Sequence, residues 1–313
     1  MNSAAENPPS GTGFVYVATG ERYVREARVS AASLRQHHAD TRICLVTDQP
    51  RGERFWDDLV VLEQPCFGFR DKLEMRRAPY ERCVFLDTDT TVCGALSALF
   101  TILSRYDVCG VQLSEGQDYA MEGGVPAAFP EMNGGVLGFR RGTATAEFFD
   151  CWARYYDEFR ALNQSAGYLY ANVGDQKSLR AALWHSQVRH AAIGAEFNFI
   201  PFRLELVSLP VAMIHTRAPE DIASLARRLN ARLGRRAYSP ELDSVVGPAT
   251  SPAELRRLTA AVLKLWLRAI SRFIVPRRVR DRLHRSGRVR RWFFGNPFAS
   301  PSDAPGDRKW EKP

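Results

Sequence analysis

The chain has little cysteine, and none of it is spaced for metal. Cys44, Cys66, Cys83, Cys93, Cys109 and Cys151 include no CxxC pair. Most sit inside apolar runs, which suits small buried thiols in a reducing compartment and argues against a disulfide framework or a cysteine-held zinc. Long apolar runs are missing too: no uncharged stretch approaches the roughly 18 residues of a membrane span. The opening MNSAAENPPSGTG lacks the basic region and apolar core of a secretory signal. The expectation is a cytoplasmic protein. No unit recurs at a fixed period, which sets solenoids and propellers aside. With 45% hydrophobic and 25% charged residues, the composition is that of a folded soluble protein rather than a disordered one. Its 313 residues suffice for one large domain or two modest ones.

Charge is abundant but uneven. The net charge is +8, yet residues 254–291 alone hold thirteen Lys/Arg against two acids, a local +11 that leaves the rest near −3. Within this segment LRRLTAAVLKLWLRAISRFIV (255–275) is amphipathic. Leu255, Leu258, Val262, Leu265, Trp266, Ala269 and Phe273 share one helical face, with Arg257, Lys264, Arg268 and Arg272 opposite. Such a helix suits an anionic membrane surface, and equally a helix packing its apolar face on the rest of the protein. Nucleic-acid binding has charge in its favour but no motif, and none is expected.

The first two hundred residues alternate strand-like and helix-like stretches. FVYVAT (14–19), RICLVTD (42–48) and CVFLD (83–87) read as buried strands. Between them YVREARVSAASLRQHH (23–38) and FRDKLEMRRAP (69–79) read as helices, the latter ending at Pro79. EMNGGVLGFRR (131–141) places a glycine pair ahead of an apolar strand. TATAEFFDCWARYYDEF (143–159) is a helix with Thr143 or Thr145 as N-cap, and GDQKSLRAALW (174–184) starts another. Beyond VAMIHTRAPED (211–221) no strand signal remains. This alternation predicts an α/β fold with a mainly parallel, doubly wound sheet covered on both faces. In such sheets ligands bind at the carboxyl ends of the strands.

Those ends carry polar residues. Asp87 and Asp89 in VFLDTDTTV are spaced i, i+2, so on a strand both project to one side. Converging carboxylates repel unless a cation lies between them, and hard oxygen ligands suit Mg²⁺ or Mn²⁺. Taken alone, the pair reads more readily as an Asx-turn. His215 ends another apolar strand, with Arg217 two residues on. A mixed Asp, Asp, His set leans toward Mn²⁺.

The order of motifs resembles the family 8 glycosyltransferases of the GT-A fold, the group that includes glycogenin and bacterial lipooligosaccharide galactosyltransferases. The similarity runs over about residues 13–218 through VYVATGERYVREARVSAASLRQHH, CVFLDTDTTVCGALSALF, MNGGVLGFRRGTATAEFF, GDQKSLRAALW, EFNF and IHTRA. It implies a metal, Mn²⁺ or Mg²⁺, held by Asp87, Asp89 and His215 and bridging the diphosphate of a nucleotide sugar, a UDP-sugar above all. It implies the base against Ala18, Thr19 and Tyr23, with Tyr23 stacking. Lys72 matches a basic residue on phosphate or sugar. Asn133, Gly134 and Gly135 would lie along the donor sugar, with Asp175 and Gln176 beside its ring. Arg217 replaces a lysine at the leaving diphosphate. The residues alone also allow plainer roles: Asn-Gly-Gly as a turn with positive φ, Asp175 as a helix cap, Lys72 as a solvated lysine and Tyr23 as helix packing.

Two departures stand out. The family's acid after the first strand is replaced by Gly20, and the histidine is not followed by Gly-x-x-Lys-Pro-Trp. The expected layout is a disordered 1–12, a catalytic domain at 13–218, a basic amphipathic helical extension at 219–295 and a disordered tail at 296–313. The implied reaction is sugar transfer, with retention, to a glycan or lipid-linked acceptor, which the basic segment would meet at the inner membrane face. Two other readings stay open: a sugar-nucleotide nucleotidyltransferase, although VATGERY lacks that group's Gly-rich basic loop, and a non-enzymatic basic binding protein.

Overall fold

The computed structural model describes residues 11–49, 55–113, 124–165, 175–217 and 222–263, apart from 232, 241–242, 248–251, 254, 257–258 and 261. Two compact units are present, one running to Ile200 and resuming over Val207–Leu233, the other formed by Pro201–Leu206 with residues from Gly234 onward.

The first unit follows the strand–helix alternation. In chain order come β1 (Thr12–Ala18), α1 (Glu21–His37), β2 (Arg42–Thr47) and β3 (Asp58–Val61). A 3-10 helix at Phe69–Arg77 precedes β4 (Arg82–Leu86), β5 (Thr90–Val92), α2 (Ser97–Ile102), β6 (Val108–Gln112) and β7 (Met132–Arg140). Then come α3 (Thr143–Ser165), α4 (Asp175–His185), β8 (His190–Ile193), β10 (Met213–His215) and α5 (Ile222–Asn230), with β9 (Glu205–Val207) falling at the boundary between the units and mostly in the second. The second unit adds β11 (Arg236–Ser239) and β12 (Ser244–Val246).

Seven strands form one mixed α/β sheet in the order β3-β2-β1-β4-β7-β6-β8. Every neighbouring pair is parallel except those of β7, which runs against both β4 and β6. From β1 the chain winds outward to β2 and β3, then returns to place β4 on the other side. The order therefore reverses between β1 and β4, which opens a crevice beyond their carboxyl ends. β1 is buried on both faces, so its apolar run is continuous: Phe14, Tyr16 and Ala18 pack with α1 residues Ala27, Ala31 and Leu34. Val15, on the other face, joins Phe85, Phe139, Phe148 and Trp152.

Residues 69–77 are helical as expected, in the 3-10 form. Several local expectations change. The glycine pair lies inside β7, and neither glycine has a positive φ, so it makes no turn. Neither Thr143 nor Thr145 precedes α3; the Gly142 carbonyl accepts the Ala146 N–H and so occupies the cap position. Two strands appear past residue 218, where none was expected: β11 and β12 pair antiparallel as a hairpin, Ala237 against Val246. Strands of four and three residues are too short to print an alternating pattern. No helix among the described residues is long and apolar enough to cross a membrane. Of the amphipathic face at 255–275, Leu255 and Val262 are described and exposed. The rest of the basic segment past residue 263, the terminal tail and residues 1–10 lie outside the described residues.

One buried acid ties the far edge of the sheet together. Asp107 accepts hydrogen bonds from Arg140 Nη2 (2.5 Å) and from the Arg189 backbone N–H (3.0 Å), Nε (3.1 Å) and Nη2 (3.2 Å). The Arg189 side-chain bonds, against the opposing effect of burial, hold its carboxyl at about 2. A depressed acid stabilises the fold above its unfolded pKa and loses that contribution as pH falls through the folded value. Asp107→Asn is expected to lower stability at pH 7 by about 1–2 kcal/mol after discounting for the exposed Arg189. In urea titrations the gap from wild type should close between about pH 4 and pH 2.

Candidate active site

The Asp-x-Asp turn sits where β4 ends, and three elements fix it. The Asp87 N–H donates to Gly135 O on β7 (2.9 Å), and Thr90 Oγ1 donates to Asp87 O (2.8 Å). Thr90 in turn meets Ser30 of α1 (2.7 Å), and Ser30 meets the buried Tyr16 hydroxyl of β1 (3.0 Å). Thr88, between the two acids, donates to Glu26 Oε2. The short antiparallel pairing of β5 with β10 then sets His215 opposite Thr90, and Thr216 N–H closes on Asp89 O at 2.9 Å. Residues 126 positions apart in sequence thereby share one point.

Side chains converge there. One ligand atom from each of Asp87, Asp89 and His215 lies within 4.8 Å of the others, the one such group among the described residues. His215 Nε2 is 3.1 Å from Asp89 and 3.8 Å from Asp87. The buried Lys72 ammonium lies 3.0 Å from Asp87 and 2.7 Å from Asp175, the first residue of α4. Arg217 reaches Asp89 (3.2 Å) and Glu26 (3.3 Å), with its guanidinium 5.7 Å from the centre of the Tyr23 ring.

The two acids of the turn are pushed apart electrically. Burial raises the Asp87 carboxyl, against the pull of Lys72 and His215. Burial acts on Asp89 as well, but the His215 hydrogen bond and the Arg217 charge outweigh it and hold that group at about 2. Lys72 is raised: burial opposes its charge, yet Asp175 and Asp87 prevail. His215 is likewise raised, with burial overcome by Asp89. The crevice thus concentrates acids and cations, an arrangement that costs desolvation energy and recurs at functional sites.

The histidine is oriented from behind. Its Nδ1 lies 2.9 Å from Asn198 Oδ1, and the fully buried Asn198 gives its amide N–H to Asn133 Oδ1 at 2.6 Å. That oxygen also accepts the Gly135 N–H (2.8 Å). With Asn198 Oδ1 as acceptor, Nδ1 carries the hydrogen, and Nε2 is directed at the two carboxylates. The adjacent glycines leave room for these groups. A Cβ on Gly135 would lie 2.3 Å from the His215 ring, and one on Gly134 2.4 Å from an Asp175 oxygen. Close approach, not a turn, requires glycine at both positions. Two carboxylates and an Nε2-directed imidazole are the donor set of a divalent cation such as Mn²⁺ or Mg²⁺.

The fold gathers Lys72, Asp87, Asp89, Asp175, His215, Arg217, Asn133, Gly134, Gly135 and Tyr23 around one crevice. Three others make no contact with the charged cluster. Ala18 is buried in the core, and Thr19 Oγ1 donates to Asp71 (2.9 Å). Gln176 is half-buried and makes no hydrogen bond to the cluster. Sequence reasoning missed Glu26, although it lies three residues from Tyr23 and so shares that face of α1. It quoted EFNF without giving Asn198 a role.

Removing the supporting amide should loosen the site without dismantling it. Asn198→Ala is expected to weaken Mn²⁺ binding, followed by the loss of the free-ion EPR signal, about 10–100-fold. Asn198→Asp, which keeps an acceptor toward Nδ1 but loses the hydrogen bond to Asn133, should fall between wild type and the alanine variant; equal binding by the alanine variant would show that His215 is held by other means.

No protein-family model matches the chain, and neither does any curated protein sequence. Solved structures that align with the chain include glycosyltransferases. The galactosyltransferase LgtC, in complex with donor and acceptor sugar analogues, aligns with a TM-score of 0.47 at 16% identity, covering 71% of this chain and 96% of that chain. The bifunctional glycosyltransferase WbbM gives 0.44 at 12%, covering 70% of this chain and 47% of that one. GlyE from Streptococcus pneumoniae gives 0.43 at 17%, over 60% and 47%.

Proposed function

We propose that the chain is a metal-dependent glycosyltransferase that moves a sugar from a nucleotide-diphosphate donor, a UDP-sugar first of all, to a glycan or lipid-linked acceptor. The observation that carries this reading is the convergence of Asp87, Asp89 and His215 beside the Lys72–Asp175 pair, at the sheet's switch point. The order of sequence motifs supports it.

Asp87, Asp89 and His215 would hold the cation, which when bound supplies positive charge to the diphosphate. The chain's own cations add to that. Lys72, fixed between two acids, and Arg217, at the crevice rim, would face phosphate oxygens and stabilise the charge that develops as the diphosphate departs. Tyr23 offers a ring face for the base. Asn133 and the two glycines would line the sugar, and Asp175 with Gln176 would orient its hydroxyls. Nothing in the cluster is a nucleophile free to form a covalent sugar intermediate, which favours front-face substitution with retention. The acceptor oxygen bonds to the anomeric carbon as the bond to the diphosphate breaks. The bonding electron pair leaves with the diphosphate, and one of its oxygens takes the acceptor proton.

In this reading residues 13–218 are the catalytic domain, and the basic segment at 219–295 holds the enzyme against an anionic inner membrane face, where a lipid-linked acceptor would lie.

Calorimetry with UDP and Mn²⁺ tests the central claim. Wild type should bind, Asp87→Ala and Asp89→Ala should lose at least tenfold in affinity, and chelation should abolish binding in all three. Failure of every nucleoside diphosphate to bind wild type would refute the reading. NMR of the product anomer tests retention separately, since an inverted product excludes front-face substitution.

A further inference from the structure

Next to the crevice one aromatic ring is held out to solvent at a visible cost. Phe67 is 65% exposed and has a φ of 53°, one of two non-glycine residues with positive φ among those described. Single exposed apolar side chains are ordinary. A bulky side chain in the left-handed region is not, and such strain persists only where the surroundings enforce it.

Here a buried acid enforces it. Asp71, 5% exposed, accepts the Phe67 N–H (2.8 Å), the Cys66 N–H (2.7 Å) and Thr19 Oγ1 (2.9 Å). Its own N–H donates to Gly68 O at 3.0 Å. The loop is therefore bolted to the end of β1. Lys72 follows Asp71 in the 3-10 helix, and its ammonium lies 5.6 Å from the centre of the Phe69 ring while bonded to Asp87 and Asp175. Phe69 thus adjoins the charged cluster, and Phe67 stands two residues before it on the loop that Asp71 holds. On either side of Phe67 in the chain, Cys66, Arg70 and Asp71 line an open groove of ≈ 630 Å³ together with Glu63, Gln64 and Glu74; Arg70 also reaches Asp157 at 3.3 Å.

We infer that Phe67, backed by Phe69, is a stacking platform for a sugar ring of the acceptor, with the groove's planar polar side chains taking its hydroxyls; this rests on the glycosyltransferase reading. A sugar has one face of C–H groups and a rim of hydroxyls. It therefore matches a lone rigid ring beside carboxylates, an amide and a guanidinium. The groove's size falls within the range of about 300–1,000 Å³ of small-ligand sites. A protein partner would need about 800 Å² of surface on its side, far more than one ring provides.

Saturation-transfer NMR with methyl β-galactoside and methyl β-glucoside as probes, with and without UDP and Mn²⁺, tests the platform without any turnover. Wild type should saturate the ring C–H protons of one sugar face. Phe67→Ala should weaken that binding about tenfold, the loss expected for one removed ring contact, and Phe67→Trp should retain it. Phe67→Gly removes ring and strain together, so it should lose the sugar while melting no lower than wild type, which separates lost binding from lost folding. UDP and Mn²⁺ affinity should be unchanged in all three. No transfer to either glycoside in wild type, or equal transfer in the alanine variant, overturns the inference. If UDP and Mn²⁺ fail to bind wild type, the glycosyltransferase reading falls on that result alone, and the glycoside signal still decides whether the platform exists.

Discussion

Three carboxylates, those of Asp87, Asp89 and Asp175, meet at one end of the sheet, and the arrangement around them answers their mutual repulsion. Lys72 bridges Asp87 and Asp175, while His215 and Arg217 meet Asp89. Apart from the exposed Arg217 these are buried or half-buried groups, so each loses solvation that only close pairing returns. The pairing is what lets acids collect in the crevice at all. It also keeps their charges in place for a cation or a phosphate to exchange with.

The scaffold serves that requirement. The hydroxyl chain from Tyr16 through Ser30 to Thr90 carries the rigidity of β1 and α1 to the Asp-x-Asp turn. The amides of Asn133 and Asn198 carry that of β7 to His215. Glycines at 134 and 135 let β7 lie against Asp175 and His215 without steric conflict. Asp71 does for the rim what these networks do for the centre, fixing a loop that local preference would leave elsewhere. In each case a buried polar group is satisfied by partners from distant segments, which makes the site specific to this fold.

Parts of this were legible in the residue order. Continuous apolar runs located β1, β2 and β4, and helical periodicity located α1, because these buried elements carry enough apolar residues in sequence to be read. β3, β8, β11 and β12 span only three or four residues and carried no such signal. The plainer alternative for the glycine pair, a turn, could not be told from a close approach, because glycine tolerates both and only the neighbours distinguish them.

The sequence by itself determined the α/β alternation, the same-side projection of Asp87 and Asp89, and the residue types able to hold a cation, since these depend on local periodicity and side-chain chemistry. Tertiary structure decided which of those residues meet. Strand order brought β10 against β5 and Lys72 of the 3-10 helix to the first residue of α4, so that His215 faces Asp89 and Lys72 spans two acids. It also gave Asn198, Glu26 and Asp71 their places. Pairing between segments a hundred or more residues apart is set by how the sheet closes its core, and no local stretch of chain contains that information.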